Sequence, residues 1–211
     1  MNLYAYVAND PLNFFDPFGL YTSCADYSDA GNSGGCTEIE GVTGENFDTL
    51  EDAARAAAPE LLKIQEETGS EVGIAFSQND DGTTTPTVAV TGTSANPDGE
   101  RGAVSLGGLL EGTHNPVADA HTHPNDVGFQ TCAGNVCFGN DLPHHNRKTG
   151  QYAQQEGSTY TSYVFRRTGS GTGAADRVTS RLVANPNRRP GAAEKVVARG
   201  RIQKNVFYVR F

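Results

Sequence analysis

An α+β domain, with a mixed β-sheet flanked by helices, is the fold class this sequence predicts, and three observations carry it. Over residues 48–65 apolar side chains recur at helical spacing, with Leu50, Ala53, Ala54, Ala57, Leu61 and Ile64 on one stripe. Residues 71–76 and 85–91 flank Gln78-Asn79-Asp80-Asp81-Gly82, a turn sequence that joins two strands as a hairpin. Residues 159–166 and 205–211 alternate as strands do, with glycine-rich and Asn-Pro turns between them.

Taken in order, residues 21–44 are rich in Gly, Ser, Asp and Thr without periodicity and are expected to be a linker. The amphipathic helix over 48–65 ends near Gly69, and Glu71 opens the first strand of the hairpin. Residues 116–120 form a short strand, and 142–148 a short helix capped by Asp141. With 211 residues, 36% hydrophobic content and 25 glycines, the chain can build one modest core, which places a single domain at 45–211. No apolar run reaches the roughly 18 residues a membrane span needs. The start is aromatic and acidic rather than basic and then apolar, so no signal peptide is expected.

The net charge of −9 conceals an asymmetry. Residues 1–141 hold 22 acidic and 3 basic side chains, whereas 142–211 hold 3 acidic and 13 basic, so the two halves should attract each other. Alternatively, arginines such as Arg166, Arg167, Arg188 and Arg189 make a phosphate-binding surface. Four cysteines, Cys24, Cys36, Cys132 and Cys137, allow three pairings, and free thiols or a small zinc clip remain open as well.

The segment Asp119-Ala120-His121-Thr122-His123-Pro124 carries the chemistry. On a strand, side chains two apart share a face, so the two imidazoles converge on one point. Catalytic zinc takes three histidine or carboxylate ligands and keeps a fourth position for water, and His121, His123 and Asp141 supply that set. Glu71, unligated, is the candidate general base, with Glu66 and Glu67 as nearby substitutes. The same residues also admit an ordinary account, in which two histidines fall together by chance and Asp141 merely caps its helix. His144 and His145 are read as exposed helix-surface histidines, and His114 has no role.

Glu71, His121-Thr122-His123-Pro124 and Asp141 resemble the JAMM (JAB/MPN) metallopeptidase motif: a glutamate, then H-[ST]-H-P, then S-x-x-D. Over residues 45–170 the chain also resembles the JAB-like domain of unknown function attached to bacterial RHS toxins. That resemblance implies a JAB/MPN-like fold, one Zn²⁺ on His121, His123 and Asp141, and Glu71 as base. The serine of S-x-x-D falls at Phe138, so the donor for the tetrahedral intermediate must come from elsewhere, with Ser105, Ser158 or a backbone N–H as candidates.

The first twenty residues, from Asn2-Leu3-Tyr4-Ala5-Tyr6 to the closing Asp16-Pro17-Phe18-Gly19-Leu20, resemble the end of an RHS-repeat core. This implies a self-cleavage point between Leu20 and Tyr21 with Asp16 taking part, and a shell formed by the rest of the core. Met1 is then expected to mark a fragment rather than a natural start. The function expected is that of an injected toxin, a zinc-dependent hydrolase that cleaves an amide or isopeptide bond in a target-cell protein, with an immunity protein protecting the producer. The alternatives are a metal-dependent nuclease using the same HxH and the basic half, and a non-catalytic binding module.

Overall fold

The computed structural model describes residues 23–24, 27, 35–92, 104–123, 132–133, 136–137, 141–187, 189 and 194–211. It has the mixed α+β architecture expected: a mostly antiparallel nine-stranded sheet with helices on both faces.

Helix α1, Leu50–Thr68, has a defined start and stop. The Thr49 hydroxyl accepts the Asp52 N–H at 3.1 Å, meeting one of the donors a helix start leaves unpaired. At the other end Gly69 turns left-handed at φ 70° and donates its N–H to Gln65. The buried face is Ala53, Ala54, Ala57, Ala58, Leu61 and Leu62, together with Gln65. Its four small side chains let the helix axis approach the sheet closely.

Strand β1 is Cys36–Thr37, β2 is Val72–Gln78, β3 is Thr84–Pro86 and β4 is Ala89–Thr91. The run expected at 85–91 is split into β3 and β4 because the Thr87 hydroxyl takes the Ala75 N–H at 3.1 Å, substituting for a ladder carbonyl. Helix α2 is Gly107–Gly112, β5 is Pro116–His123, and β6 (Cys132–Ala133) pairs with β7 (Val136–Cys137) in a separate two-stranded ribbon. Helix α3 is Asp141–Tyr152. Strands β8 (Thr159–Gly169), β9 (Thr172–Ala184), β10 (Lys195–Ala198) and β11 (Gln203–Arg210) complete the sheet.

The sheet order is β1-β4-β2-β5-β8-β9-β10, with β3 also pairing β2 and β11 also pairing β9. All of these pairs are antiparallel except β5–β8, which is parallel. A parallel pair needs a crossover connection, and α3 lies in that crossover.

Alternation along the strands divides the core in two. Val72, Ile74, Phe76, Ala118, Ala120, Tyr163 and Phe165 face α1. Ala75, Val90 and Tyr160 face the other way, and pack with Leu106, Leu109 and Leu110 from around α2. Gly73 belongs to this second face, where a Cβ would meet Leu106 Cδ2 at 2.5 Å, so the absence of a side chain lets the α2 segment lie against the sheet.

The linker expected at 21–44 is not a free tether over its described part. Cys24 and Cys36 form a disulfide, β1 pairs with β4, and Tyr27, Ile39 and Val42 are buried in the core. Apolar residues spaced too widely to show a period produced the expectation. The charge halves meet through Lys148–Asp119, Arg167–Glu66 and Arg177–Glu51, each pairing a base after residue 141 with an acid before it. Asp16, Leu20, Tyr21, Phe138 and Arg188 lie outside the described residues.

Leu61 is wholly buried between α1 and the sheet. Leu61→Ala is expected to lower stability by about 2–5 kcal/mol, whereas Thr49→Ala at the helix start lowers it by about 1 kcal/mol. Chemical denaturation measures both, and equal effects would contradict the packing described.

Candidate metal centre

Strand β5 brings Asp119, His121 and His123 onto one face, the face turned towards α2 and α3. Between the two histidines, Thr122 points the other way and accepts the Val72 N–H at 3.0 Å. That bond and the Gly73–His121 pairing hold Glu71, the residue just before β2, alongside the histidines. Asp141 arrives from the first turn of α3.

The ligand atoms converge. His121 Nε2 and His123 Nε2 are 3.0 Å apart. Asp141 Oδ1 is 3.6 Å from His121 Nε2, and its Oδ2 is 3.3 Å from His123 Nε2. All three ligand atoms lie within 4.8 Å of one another, so one metal ion can reach them all. His123 is buried and the other two are half-buried, leaving one side open to a cleft of about 560 Å³. A buried, unmet acceptor supports the fit. Asp119 Oδ1 has no hydrogen-bond partner although Asp119 is wholly buried two residues before His121, where a ligating imidazole needs an acceptor for its other ring N–H.

Glu71 lines the same cleft. The Val104 N–H donates to its Oε2 at 3.2 Å, which fixes the carboxylate and leaves Oε1 for a water proton. Glu66 is taken by Arg167 at 2.5 Å, and Glu67 is exposed on α1, so neither is brought to this cleft. Ser105 lines it, whereas Ser158 lies in a different cleft and hydrogen-bonds Gln155. His114 is exposed and remote from the cleft lining.

His144 lines the cleft and is exposed, as expected. His145 is the correction: it is 1% exposed, with Nδ1 2.9 Å from Ser162 Oγ and Nε2 2.8 Å from Ser180 Oγ. It therefore pins α3 to β8 and β9. The residues that pattern alone did not single out are Asp119, Lys148 and Tyr160. Lys148 Nζ donates to Asp119 Oδ2 at 2.9 Å, and Tyr160 Oη donates to the same oxygen at 2.8 Å. Burial pushes the Asp119 carboxyl up, but the Lys148 ammonium and the two hydrogen bonds pull it further down, to below the usual carboxylate value. Burial, reinforced by Asp119, holds the Tyr160 phenol well above its ordinary value, so it stays a donor.

Of the arginines proposed for phosphate contact, the three described ones are placed elsewhere. Arg166 is 9% exposed and bonded to Asp176 and Asn205, and Arg167 is paired with Glu66 and covers the Phe211 ring. Arg189 is exposed and does not line the cleft. Comparison with protein-family models, curated proteins and solved structures finds no match to this chain. What the fold and site define is an α+β protein with a His-His-Asp group able to hold a metal ion.

Two outcomes follow from this geometry. About one divalent ion per chain is expected by elemental analysis, and none in a His121→Ala, His123→Ala double variant; an equal content in both would remove the site. Burial lowers the His145 imidazole to about 4 from 6.5, so the unfolded chain takes up this proton first as pH falls. The contribution is whole above pH 6.5, is lost between 6.5 and about 4, and is constant below that. It amounts to about 3 kcal/mol. Denaturation of wild type and His145→Asn across this window measures it, and parallel pH profiles would refute the assignment.

Proposed function

We propose that the chain is a zinc-dependent hydrolase that cleaves an amide or isopeptide bond in a protein. The observation that carries this is the convergence of His121, His123 and Asp141 beside Glu71 in one open cleft. Zinc suits the donor set, since two imidazoles and a carboxylate favour it over magnesium or calcium. The spacing is compatible: bonds of about 2.0–2.1 Å in tetrahedral geometry put ligand atoms roughly 3.3 Å apart, and here the two imidazole nitrogens are 3.0 Å apart while one ligand atom from each of the three residues lies within 4.8 Å of the others. Zinc supplies Lewis acidity and lowers the pKa of a water when it is bound.

The chain's own residues do the rest. Glu71, anchored through Oε2, takes the proton of the attacking water and returns it to the leaving nitrogen. The ligands are partly buried, and their open side faces the cleft through which a substrate would approach. Against a nuclease stands the placement of Arg166 and Arg167, which pair with Asp176 and Glu66 and do not line the cleft. The resemblance of residues 1–20 to an RHS core end supports placing this hydrolase as an injected toxin module. It would be released from a core shell after Leu20, act inside a target cell and be held in check by an immunity protein in the producer.

Glu71→Gln provides the test. Bacteria producing the wild-type chain in their cytoplasm should stop growing, and those producing the variant should not, reflecting a loss of roughly 10²–10⁴-fold in rate. The metal content of the variant should equal that of the wild type. Undiminished toxicity of Glu71→Gln would remove Glu71 from the mechanism.

A further inference from the structure

The cleft beside the candidate metal centre contains a buried ion pair whose lysine has no part in the ligand set. Asp119 is wholly buried, and its partner Lys148 keeps 18% of its side chain exposed, towards the cleft lined by Glu71, His121, His123 and Asp141. Taking two charges out of water is unfavourable by several kcal/mol per ion, and apolar side chains of similar size commonly serve stability as well or better. An ion pair at this position therefore asks for a role.

Geometry limits what that role can be. Asp119 and His121 are two residues apart on one face of β5, a separation of roughly 6.5 Å along the strand. Lys148 Nζ is 2.9 Å from the Asp119 carboxylate, and Tyr160 Oη, 2.8 Å from the same oxygen, keeps that carboxylate from rotating. The ammonium is thus tied to the residue one alternation before His121, in the lining of the same cleft. It has three N–H bonds, of which Asp119 receives one, so donors remain for a cleft-bound group.

Other donors lining the cleft are less suited. Ser105, His144, Arg147 and Gln151 are exposed, and among the described residues no hydrogen bond holds their side chains. Ser162 is held, but its hydroxyl is engaged by His145. Tyr152 is held by stacking on Tyr160 but carries no charge; among the described lining residues, Lys148 is the cationic donor that is both positioned and open to the cleft. A donor fixed in advance where charge develops is worth much more than a mobile one.

We propose that Lys148, with Asp119 and Tyr160 as its positioning residues, is the group that receives the negative charge forming on the substrate oxygen at this site. The inference rests on the hydrolase reading above and supplies the donor that Phe138, in place of the motif serine, does not. In the step concerned, the water oxygen bonds to the carbonyl carbon and the C=O electron pair moves onto oxygen, where a Lys148 N–H donates to it. Glu71 takes a water proton and delivers it to the nitrogen as the C–N bond breaks. The products are a carboxylate and an amine that takes up the remaining proton, and both side chains return to their starting states.

Inorganic phosphate, a tetrahedral anion, is the probe. Its affinity for the zinc-loaded chain is measured by titration calorimetry for wild type, Lys148→Met and the double variant Asp119→Asn, Lys148→Met, with zinc content determined for each. The double variant removes both charges together, so it stays informative if Lys148→Met alone strands Asp119 and unfolds. Wild type is expected to bind phosphate saturably, and the folded variant to bind it at least tenfold more weakly with its zinc retained. Unchanged affinity in a folded variant, or no saturable binding by wild type, overturns the proposal. Absence of zinc from wild type is the failure of the metal reading instead, and titration of the chelator-treated proteins then decides the role of Lys148 by the same tenfold criterion.

Discussion

Helix α3 is fastened to the sheet by polar contacts rather than by an apolar stripe, and the candidate site depends on that attachment. Counting along its inward side, Asp141 faces the two strand histidines, His145 is clamped between Ser162 and Ser180, and Lys148 reaches Asp119. Tyr152 closes the row by stacking on Tyr160. Apolar packing tolerates small rotations, whereas hydrogen bonds have preferred directions and lengths. A slide of one residue, about 1.5 Å, would disturb every one of these contacts together. The fastening therefore fixes both the rotation and the axial position of the carboxylate at the helix start.

The opposite face of the sheet is built on different terms. There the alanine side of α1 lies over Val72, Ile74, Phe76, Ala118 and Ala120, with little polarity. Strands β2 and β5 thus present apolar side chains to one helix and chemistry to another, alternating residue by residue. The close packing on the α1 side supports the strands, so the histidines are presented from a firm base. Sites built on strands and helices hold their geometry better than sites built on loops.

Much of this was legible in the residue order, for reasons that can be named. The period of residues 50, 53, 54, 57, 61 and 64 located α1 to within a few residues, and the spacing of His121 and His123 gave their common face. Glu71 was legible as a strand-opening acid, and the cleft brings it beside the histidines. Asp119 was missed although it sits one alternation before His121, because a carboxylate before a histidine pair is read as a solvated charge unless its partner is known. That partner, Lys148, is 29 residues away and reaches it only through the β5–α3–β8 crossover. His145 was misjudged for the same reason: a histidine on a polar helix looks exposed, and its burial depends on two serines in strands that follow it. The attraction of the two halves was legible in their charges, but not which acids engage Arg167 and Arg177, because those lie about a hundred residues earlier.

The clamp on His145 also orders events in time. Asp141 is placed by α3, α3 is held through Ser180, and Ser180 lies in β9, well after every ligand in the chain. A ribosome that has already made His121, His123 and Asp141 has still not made the strand that seats them. During synthesis the nascent polypeptide therefore carries His121, His123 and Asp141 before it carries the strand that holds the helix of Asp141 in place.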